Sequence, residues 1–329
     1  MKYITEYRDK ELAKKLVADI AKEARPDRNY RLMEFCGGHT HVISRYGLEG
    51  ILPKNVRMIH GPGCPVCVMP IGRIDSAIEL ALEHGVILCT YADTMRVPAS
   101  KGLSLMKAKA QGGDIRMIYS AADCLDIARA NPDKNVVFFA IGFETTTPAT
   151  AVVLKQAKAE GLKNFFVFCN HVLTPPAMRH ILKNQEKVHI EGFVGPAHVS
   201  TIIGSEPYET FAKDYSKPVV IAGFEPLDML QSILMLIRQI NRGEAEVENE
   251  FTRAVRPEGN MKAIRMMEEV FALRDSFEWR GLGSVPKSAL KLSDAYSDFD
   301  AEKHFNLVYR SVPDNKACEC GAIMRGEKQ

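Results

Sequence analysis

Eight short runs rich in β-branched and aromatic residues constrain the fold of this chain more than any other feature. They cover residues 31–35, 56–60, 86–90, 115–119, 136–141, 165–169, 190–194 and 219–222. Amphipathic stretches such as 74–83, 121–130 and 149–160 lie between most of them. Strand and helix patterns in alternation are typical of βαβ units, in which parallel strands form a sheet covered by helices. The sequence therefore predicts an α/β fold.

The length of 329 residues is enough for two or three domains with separate cores. We predict two parallel-sheet α/β domains around a central cleft, with a smaller, mainly helical or irregular C-terminal region. The predicted ranges are 1–30 for an N-terminal helix, 31–131 and 132–226 for the α/β domains, and 227–329 for the last region.

Composition and charge exclude two classes of partner. The net charge is +2, and no basic run offers a surface for nucleic acid. No apolar run approaches the roughly 20 residues that a membrane-spanning helix needs. The N-terminal segment is charged and lacks the apolar core of a signal peptide. We therefore expect a cytoplasmic protein that binds neither membranes nor nucleic acid.

The chain has eight cysteines, and disulfides are not expected because the cytosol keeps thiols reduced. Cys89, Cys124 and Cys169 lie in apolar segments and are predicted to be small buried side chains. The other five are grouped with turn residues and suggest a function.

Unusual polar residues follow most of the predicted strands. They are Cys36–His41, Cys64–Cys67, Asp93–Arg96, Glu144–Thr147, Asn170 with His171, His198 and Glu225. Parallel sheets bind their ligands at the carboxyl ends of the strands, so this placement predicts a functional crevice. For Asp93, Arg96, His171 and His198 we favour a structural role.

Cys64 and Cys67 form a C-x-x-C motif after a Gly-Pro-Gly turn. This spacing brings two sulfurs within reach of a disulfide or a shared metal ion. A redox pair or transient metal site is the favoured interpretation. Half of a zinc site, completed by Cys318 and Cys320, and an inert turn are the alternatives.

Cys36 is followed by two glycines and by His39 and His41, a pattern that lets the backbone approach a ligand closely. Thiolate and imidazole ligands suit iron, copper or zinc. A cysteine nucleophile with a histidine base, or a buried cysteine beside a helix cap, would give the same pattern.

Glu144 lies in the segment 142–148 (GFETTTP), where a strand meets a helix. Threonine hydroxyls cap helices, which accounts for the threonines. The carboxylate of Glu144 is predicted to act as a proton carrier in the crevice.

These motifs together resemble the HypD family of [NiFe] hydrogenase maturation proteins. The resembling segments are 33–41 (MEFCGGHTH), 60–70 (HGPGCPVCVMP), 90–100 (TYADTMRVPAS), 140–150 (AIGFETTTPAT) and 318–321 (CECG). The resemblance covers nearly the whole chain, from about residue 31 to residue 326. It implies a scaffold on which the Fe(CN)2CO unit is assembled, with a HypC-type chaperone and a HypE-type cyanide donor as partners.

The resemblance also implies roles for single residues. Cys36 would bind the iron, and the chaperone would supply the second thiolate. Cys64 and Cys67 would be the redox pair. His39, His41 and Glu144 would line the crevice around the growing iron complex. Together with Cys64 and Cys67 they are the predicted catalytic set, and Cys36 is the predicted metal ligand.

One departure from the family concerns its [4Fe-4S] cluster, which cysteines near the C-terminus bind. Only Cys318 and Cys320 of that set occur here, whereas a cluster needs four thiolates. The sequence therefore predicts an incomplete ligand set, in either a shortened chain or a natural variant.

Two other functions stay open at this point. A thiol-disulfide oxidoreductase would need Cys64 and Cys67 but not Cys36. A zinc-stabilised binding module would join Cys64 and Cys67 to Cys318 and Cys320 and would unfold when the metal is chelated.

Overall fold

The computed structural model describes residues 5–184, 189–315 and 317–328. The strands are β1 Tyr30–Glu34, β2 Val56–His60, β3 Ile87–Thr90, β4 Ile115–Met117, β5 Val136–Gly142, β6 Phe165–His171, β7 Gly192–Pro196, β8 Val219–Ala222, β9 Val247–Asn249, β10 Phe271–Leu273, β11 Ser276–Trp279, β12 Gly283–Pro286 and β13 Leu290–Leu292. All eight predicted strands are confirmed, with ends displaced by at most two residues.

Helices separate most of the strands, as the alternation predicted. They are α1 Lys10–Glu23, α2 Gly37–Tyr46, α3 Leu48–Ile51, α4 Ile71–Leu82, α5 Leu105–Ala110, α6 Asp123–Ala130, α7 Thr147–Glu160, α8 Thr174–Lys183, α9 Ala197–Ile203, α10 Glu209–Tyr215, α11 Pro226–Arg242, α12 Met261–Val270, α13 Ala301–His304 and α14 Cys320–Met324. Within the described ranges, no helix combines the length and apolarity that crossing a membrane would require.

The chain forms two compact units that alternate along the sequence. The first unit comprises Met1–Cys64, Ala177–Met261 and Glu319–Gln329, and the second comprises Pro65–Pro176 and Lys262–Cys318. These units do not follow the consecutive ranges predicted from the sequence. A strand pattern shows that a strand exists but not which sheet it joins, so the return of the chain to the first unit could not be predicted.

The first unit is built on a five-stranded parallel sheet with the order β2-β1-β7-β8-β9. Its core includes Leu32, Met58 and Val220 from the strands and Ile233 and Ile237 from α11, all fully buried. Helix α1 packs on α11 in the same unit, so the predicted N-terminal helix is part of this core.

The second unit contains a four-stranded parallel sheet with the order β4-β3-β5-β6. Every residue of β5 and β6 is buried, as expected for a parallel sheet with both faces covered. Two antiparallel ribbons, β10 with β13 and β11 with β12, belong to this unit. They lie in the region predicted to be helical or irregular, and their strands of three or four residues are too short to give a clear pattern.

A buried arginine fixes the start of α4 in the second unit. Arg73 is only 3% exposed, and its Nε donates to Asn170 Oδ1 at 2.6 Å. Its Nη1 donates to Glu302 Oε1 at 2.6 Å, and its Nη2 donates to the Cys169 carbonyl at 3.2 Å. The guanidinium also lies over the Phe168 ring at 4.7 Å. One side chain thus joins α4, β6 and α13.

We expect Arg73→Ala to lower the free energy of unfolding by about 3–5 kcal/mol, because it removes the donor to the buried Asn170 Oδ1 and the partly buried ion pair with Glu302, which keeps its ion pair with Arg274. Arg129→Ala is the matched control, because Arg129 forms ion pairs on α6 of the same unit but is 39% exposed. The control should lose less than about 1 kcal/mol. Urea unfolding followed by the fluorescence of Trp279, the single tryptophan, measures both. Equal losses would contradict this account of Arg73.

Candidate functional site

The site begins with Cys36, which lies between β1 and α2 in the first unit. Its backbone is extended (φ −146°, ψ 125°), and α2 begins at the next residue. The side chain is 8% exposed. Burial raises the pKa of the Cys36 thiol, whereas the N–H groups of Gly38 and His39 at the start of α2 lower it. The rise prevails, so the free thiol is protonated and a metal ion would have to displace its proton.

His198 supplies a nitrogen beside this sulfur. It lies in the first turn of α9, directly after β7, and its Nδ1 is 3.7 Å from Cys36 Sγ. Burial lowers the pKa of His198, so the imidazole is neutral at pH 7. Thiol and neutral imidazole together form a sulfur–nitrogen pair that suits a transition metal. The sequence favoured a structural role for His198, because an isolated histidine carries no local signal.

The order of the strands explains why these residues meet. β2, β1, β7 and β8 are consecutive in the first sheet. Because all four strands are parallel, the segments that follow them leave the same edge of the sheet. Cys36 follows β1, His198 follows β7 and Phe224 follows β8. The Gly61–Cys64 turn follows β2. The predicted concentration of polar residues at carboxyl ends therefore holds in this unit.

The Phe224 ring packs between two imidazole rings. Its ring centroid is 4.1 Å from that of His198 and 5.0 Å from that of His39. A Cβ atom added to Gly38 would lie 2.4 Å from the Phe224 ring, so a larger residue there would have to displace the ring. A Cβ atom at Gly37 would meet the Gly63 carbonyl oxygen at 3.9 Å, an ordinary van der Waals contact, so a methyl group fits there.

The Glu34 carboxylate holds the surrounding backbone and side chains in place. It is buried at the end of β1, and its Oε2 accepts from the backbone N–H of Cys36 at 2.7 Å. Its Oε1 accepts from the Thr40 hydroxyl and contacts His60 Nδ1 at 2.8 Å. This hydrogen bond raises the pKa of His60. Sequence reasoning missed Glu34, which reads as an ordinary strand residue.

The Gly-Pro-Gly turn packs directly against Cys36. Gly61 N–H donates to the Glu34 carbonyl at 2.8 Å. A Cβ atom at Gly63 would lie 2.9 Å from Cys36 Cα, so the close approach requires glycine. Cys64, the next residue, is partly exposed and ends a segment of the first unit, whereas Cys67 is exposed and belongs to the second.

The two histidines predicted beside Cys36 have different surroundings. His39 is fully buried, and its Nε2 donates to the Ala222 carbonyl at 2.9 Å, which joins α2 to β8. Its Nδ1 is buried and has no hydrogen-bond partner among the described residues. Burial lowers the pKa of His39. His41 is exposed on α2.

Glu144 lies in the second unit, after β5, and is fully buried. Its Oε1 accepts from Thr174 N–H at 2.8 Å, and its Oε2 contacts the Thr174 hydroxyl at 3.0 Å. Burial raises the pKa of Glu144 to about 7. A carboxyl group with this pKa can both accept and give up a proton near neutral pH, as the proton-carrier hypothesis requires.

The sequence resembles known proteins along nearly its whole length. The HypD family profile, described as "Hydrogenase formation hypA family", matches residues 11–329. The chain belongs to the HypD family. It is 64% identical over 100% of its length to "Hydrogenase maturation factor HypD" of Cupriavidus necator, covering 88% of that protein. The factor of the same name from Escherichia coli is 44% identical over 99% of the chain and 88% of its own length.

The remaining cysteines of this HypD-family chain fall into two classes. Cys89, Cys124 and Cys169 are buried in the second unit, as predicted. Cys318 is exposed and Cys320 is partly exposed. Across residues 5–184, 189–315 and 317–328, no three histidine, cysteine or acidic side chains are grouped so that they could hold a metal ion.

We expect Gly38→Ala to lower the free energy of unfolding by about 1–3 kcal/mol, because the new methyl group displaces the Phe224 ring. Gly37→Ala is the matched control and should change it by less than about 1 kcal/mol, since its methyl group meets no atom within 3.9 Å. Urea unfolding followed by circular dichroism measures both. Combining Gly38→Ala with Phe224→Leu should recover part of the loss, and equal effects of the two alanines would contradict the proposed clash.

The raised pKa of Glu144 predicts that the free energy of unfolding depends on pH. A carboxyl group whose pKa rises on folding stabilises the fold below its ordinary pKa of 4.5, and this contribution is lost as the pH rises through about 7. Relative to Glu144→Gln, the wild type should lose about 2–3 kcal/mol of unfolding free energy between pH 5 and pH 8. Urea unfolding of both proteins at the two pH values tests this. A constant difference between them would show that Glu144 does not titrate in this range.

Proposed function

We propose that this chain is a scaffold on which the Fe(CN)2CO unit of a [NiFe] hydrogenase is assembled, with Cys36 as the iron ligand. The observation that carries the proposal is the Cys36–His198 pair, a buried thiol 3.7 Å from a neutral imidazole at the edge of a parallel sheet. Family membership supports it, because the relatives carry the name hydrogenase maturation factor. Iron is the substrate here, delivered and later released.

The proposed binding step exchanges a proton for the metal. When iron binds, the Cys36 S–H bond breaks, the sulfur keeps the electron pair, and an S–Fe bond forms. His198 Nδ1, at 3.7 Å, is placed to accept the proton and pass it to solvent. The N–H groups of Gly38 and His39 then stabilise the thiolate.

The Glu34 carboxylate is proposed to fix the Cys36 backbone through the 2.7 Å hydrogen bond to its N–H group. Held in this way, the sulfur keeps one position while the iron gains its cyanide and carbonyl ligands. A HypC-type chaperone is the proposed source of the second thiolate, and a HypE-type partner is the proposed cyanide donor. Both partners follow from the family resemblance.

Cys64 and Cys67 are proposed as the redox pair of this reaction. When they form a disulfide, two thiols lose two protons and two electrons, and a partner's disulfide takes these up as its own S–S bond breaks into two thiols. The exposure of Cys67 supports this role, since a buried thiol would not reach a partner. His39, His41 and Glu144 are proposed to line the crevice around the growing iron complex, as the family resemblance implies, with Glu144 as the proton carrier.

We expect Cys36→Ala to lose at least nine-tenths of the iron that the wild type retains with its HypC-type partner, because the protein's sulfur ligand is gone. Metal analysis and infrared spectra of the cyanide and carbonyl stretching region measure the loss. Cys124→Ala is the control, since it removes a buried thiol of the second unit. Iron at the wild-type level in a folded Cys36→Ala protein would exclude the scaffold and favour the oxidoreductase, for which Cys36 is dispensable.

A further inference from the structure

A short antiparallel hairpin in the second unit has no part in the function proposed above. It consists of β11 and β12, joined by the loop 280–282, with Trp279 paired to Gly283. Trp279 is fully buried, and its Nε1 donates to the Ser288 hydroxyl at 2.8 Å. Its ring lies 6.1 Å from that of Phe143, the residue before Glu144. The hairpin therefore packs against the segment that carries the proposed proton carrier.

The residues that follow β12 lie at the same edge of the second sheet, where β5 and β6 end. Leu173 N–H donates to the Ser288 carbonyl at 2.8 Å, and Val172 forms a β-bridge with Ala289. Both residues directly follow β6 and precede Thr174, whose N–H and hydroxyl contact Glu144. The hairpin and the residues after it thus contact the segments that leave β5 and β6.

Arg280, at the tip of the hairpin, contacts the segment that follows the C-x-x-C motif. Its backbone N–H donates to the Val68 carbonyl at 2.8 Å, and Val68 is the residue directly after Cys67. Its Nη2 donates to the Pro98 carbonyl at 3.5 Å, in the loop after β3. The Arg280 side chain is only 10% exposed. The tip of the hairpin therefore joins the loop after Cys67 to the loop after β3.

Asp314 holds this tip from the other side. Its Oδ1 is 3.6 Å from Arg280 Nε, and its Oδ2 accepts from Gly281 N–H at 3.0 Å. Asp314 belongs to an extended segment that also crosses α4, where a Cβ atom at Gly72 would lie 2.0 Å from the Arg310 carbonyl. The tip is thus fixed through both its backbone and its guanidinium.

We infer that Arg280 is a positioning residue for the Cys64–Cys67 redox pair, acting through Val68; this inference rests on the redox role proposed above. The Arg280 side chain, held by Asp314 and Pro98, keeps the tip of the hairpin in place. The hydrogen bond from that tip then restricts the chain directly after Cys67. On this inference the loop is held in a conformation in which the disulfide can close, so closure costs less conformational entropy and the hairpin favours the oxidised pair.

The reaction that reports this effect is exchange with dithiothreitol. Cys64 and Cys67 lose two protons and two electrons as their S–S bond forms, and the S–S bond of oxidised dithiothreitol breaks as it takes them up. The equilibrium constant follows from the fraction of oxidised protein over a series of dithiothreitol buffers, counted by alkylation and mass spectrometry. This measurement needs no iron and no partner protein.

Arg280→Ala should lower the equilibrium constant for disulfide formation at least threefold, which raises the reduction potential by about 14 mV. Asp314→Asn, which weakens the ion pair but keeps the side-chain shape, should give a smaller shift in the same direction. Arg129→Ala, an exposed arginine of the same unit, should leave the constant unchanged. Trp279 fluorescence verifies that the hairpin is folded in each protein.

The inference is overturned if folded Arg280→Ala keeps the wild-type constant, or if Arg129→Ala shifts it equally. If Arg280→Ala does not fold, Asp314→Asn decides, and a wild-type constant in that variant overturns the inference. A wild type that forms no Cys64–Cys67 disulfide in any buffer refutes the proposed redox role, and this inference with it. Iron retention by Cys36 is measured separately, so the two failures are distinguishable.

Discussion

A buried carboxylate at the end of β1 organises the candidate iron site. Glu34 accepts hydrogen bonds from the Cys36 backbone and from Thr40 in α2, and it contacts His60 at the end of β2. A charged group that is hidden from water requires such partners, because otherwise its burial would be strongly unfavourable. The need to satisfy Glu34 therefore places β1, the start of α2 and the turn that leads to Cys64 in one arrangement.

The order of strands in the first sheet completes the site. Because β1, β7 and β8 are adjacent and parallel, Cys36, His198 and Phe224 leave the sheet side by side. Phe224 packs against both His39 and His198, and the absence of a side chain at Gly38 makes room for it. A thiol, two imidazoles and an aromatic ring thus form one packed group, although more than 180 residues separate Cys36 from Phe224.

Local patterns in the sequence were sufficient to predict the strands and the cysteine turns. Each of the eight predicted strands is a short apolar run, most of them with several β-branched or aromatic residues, and the glycines and histidines after Cys36 mark it as a candidate site residue. The pairing of strands that lie far apart in the sequence produces no such local pattern. The sequence therefore favours only a structural role for His198. Glu34 could not be predicted as a site residue, because its role depends on residues from other elements. The short ribbons at 271–292 were missed because three or four residues give no period.

The helical prediction for the C-terminal region was partly successful for a related reason. α11 and α12 have clear amphipathic patterns and are present in the structure. The hairpin between them and the C-terminus is held by single contacts, such as Trp279 with Ser288 and Arg280 with Val68. Each of these contacts depends on a single pair of residues, so no run of residue types predicts it.

The alternation of the two units along the chain has a consequence for folding during synthesis. All four strands of the second sheet lie between Ile87 and His171, so that sheet has its strands together before β7 is made. The first sheet has β1 beside β7, and this pairing waits until about residue 196 has left the ribosome. Domains generally fold as units as they emerge, and distant strand pairs form slowly. The N-terminal segment with Cys36 is therefore synthesised first, but its sheet gains its last strands after all four strands of the second parallel sheet have been made.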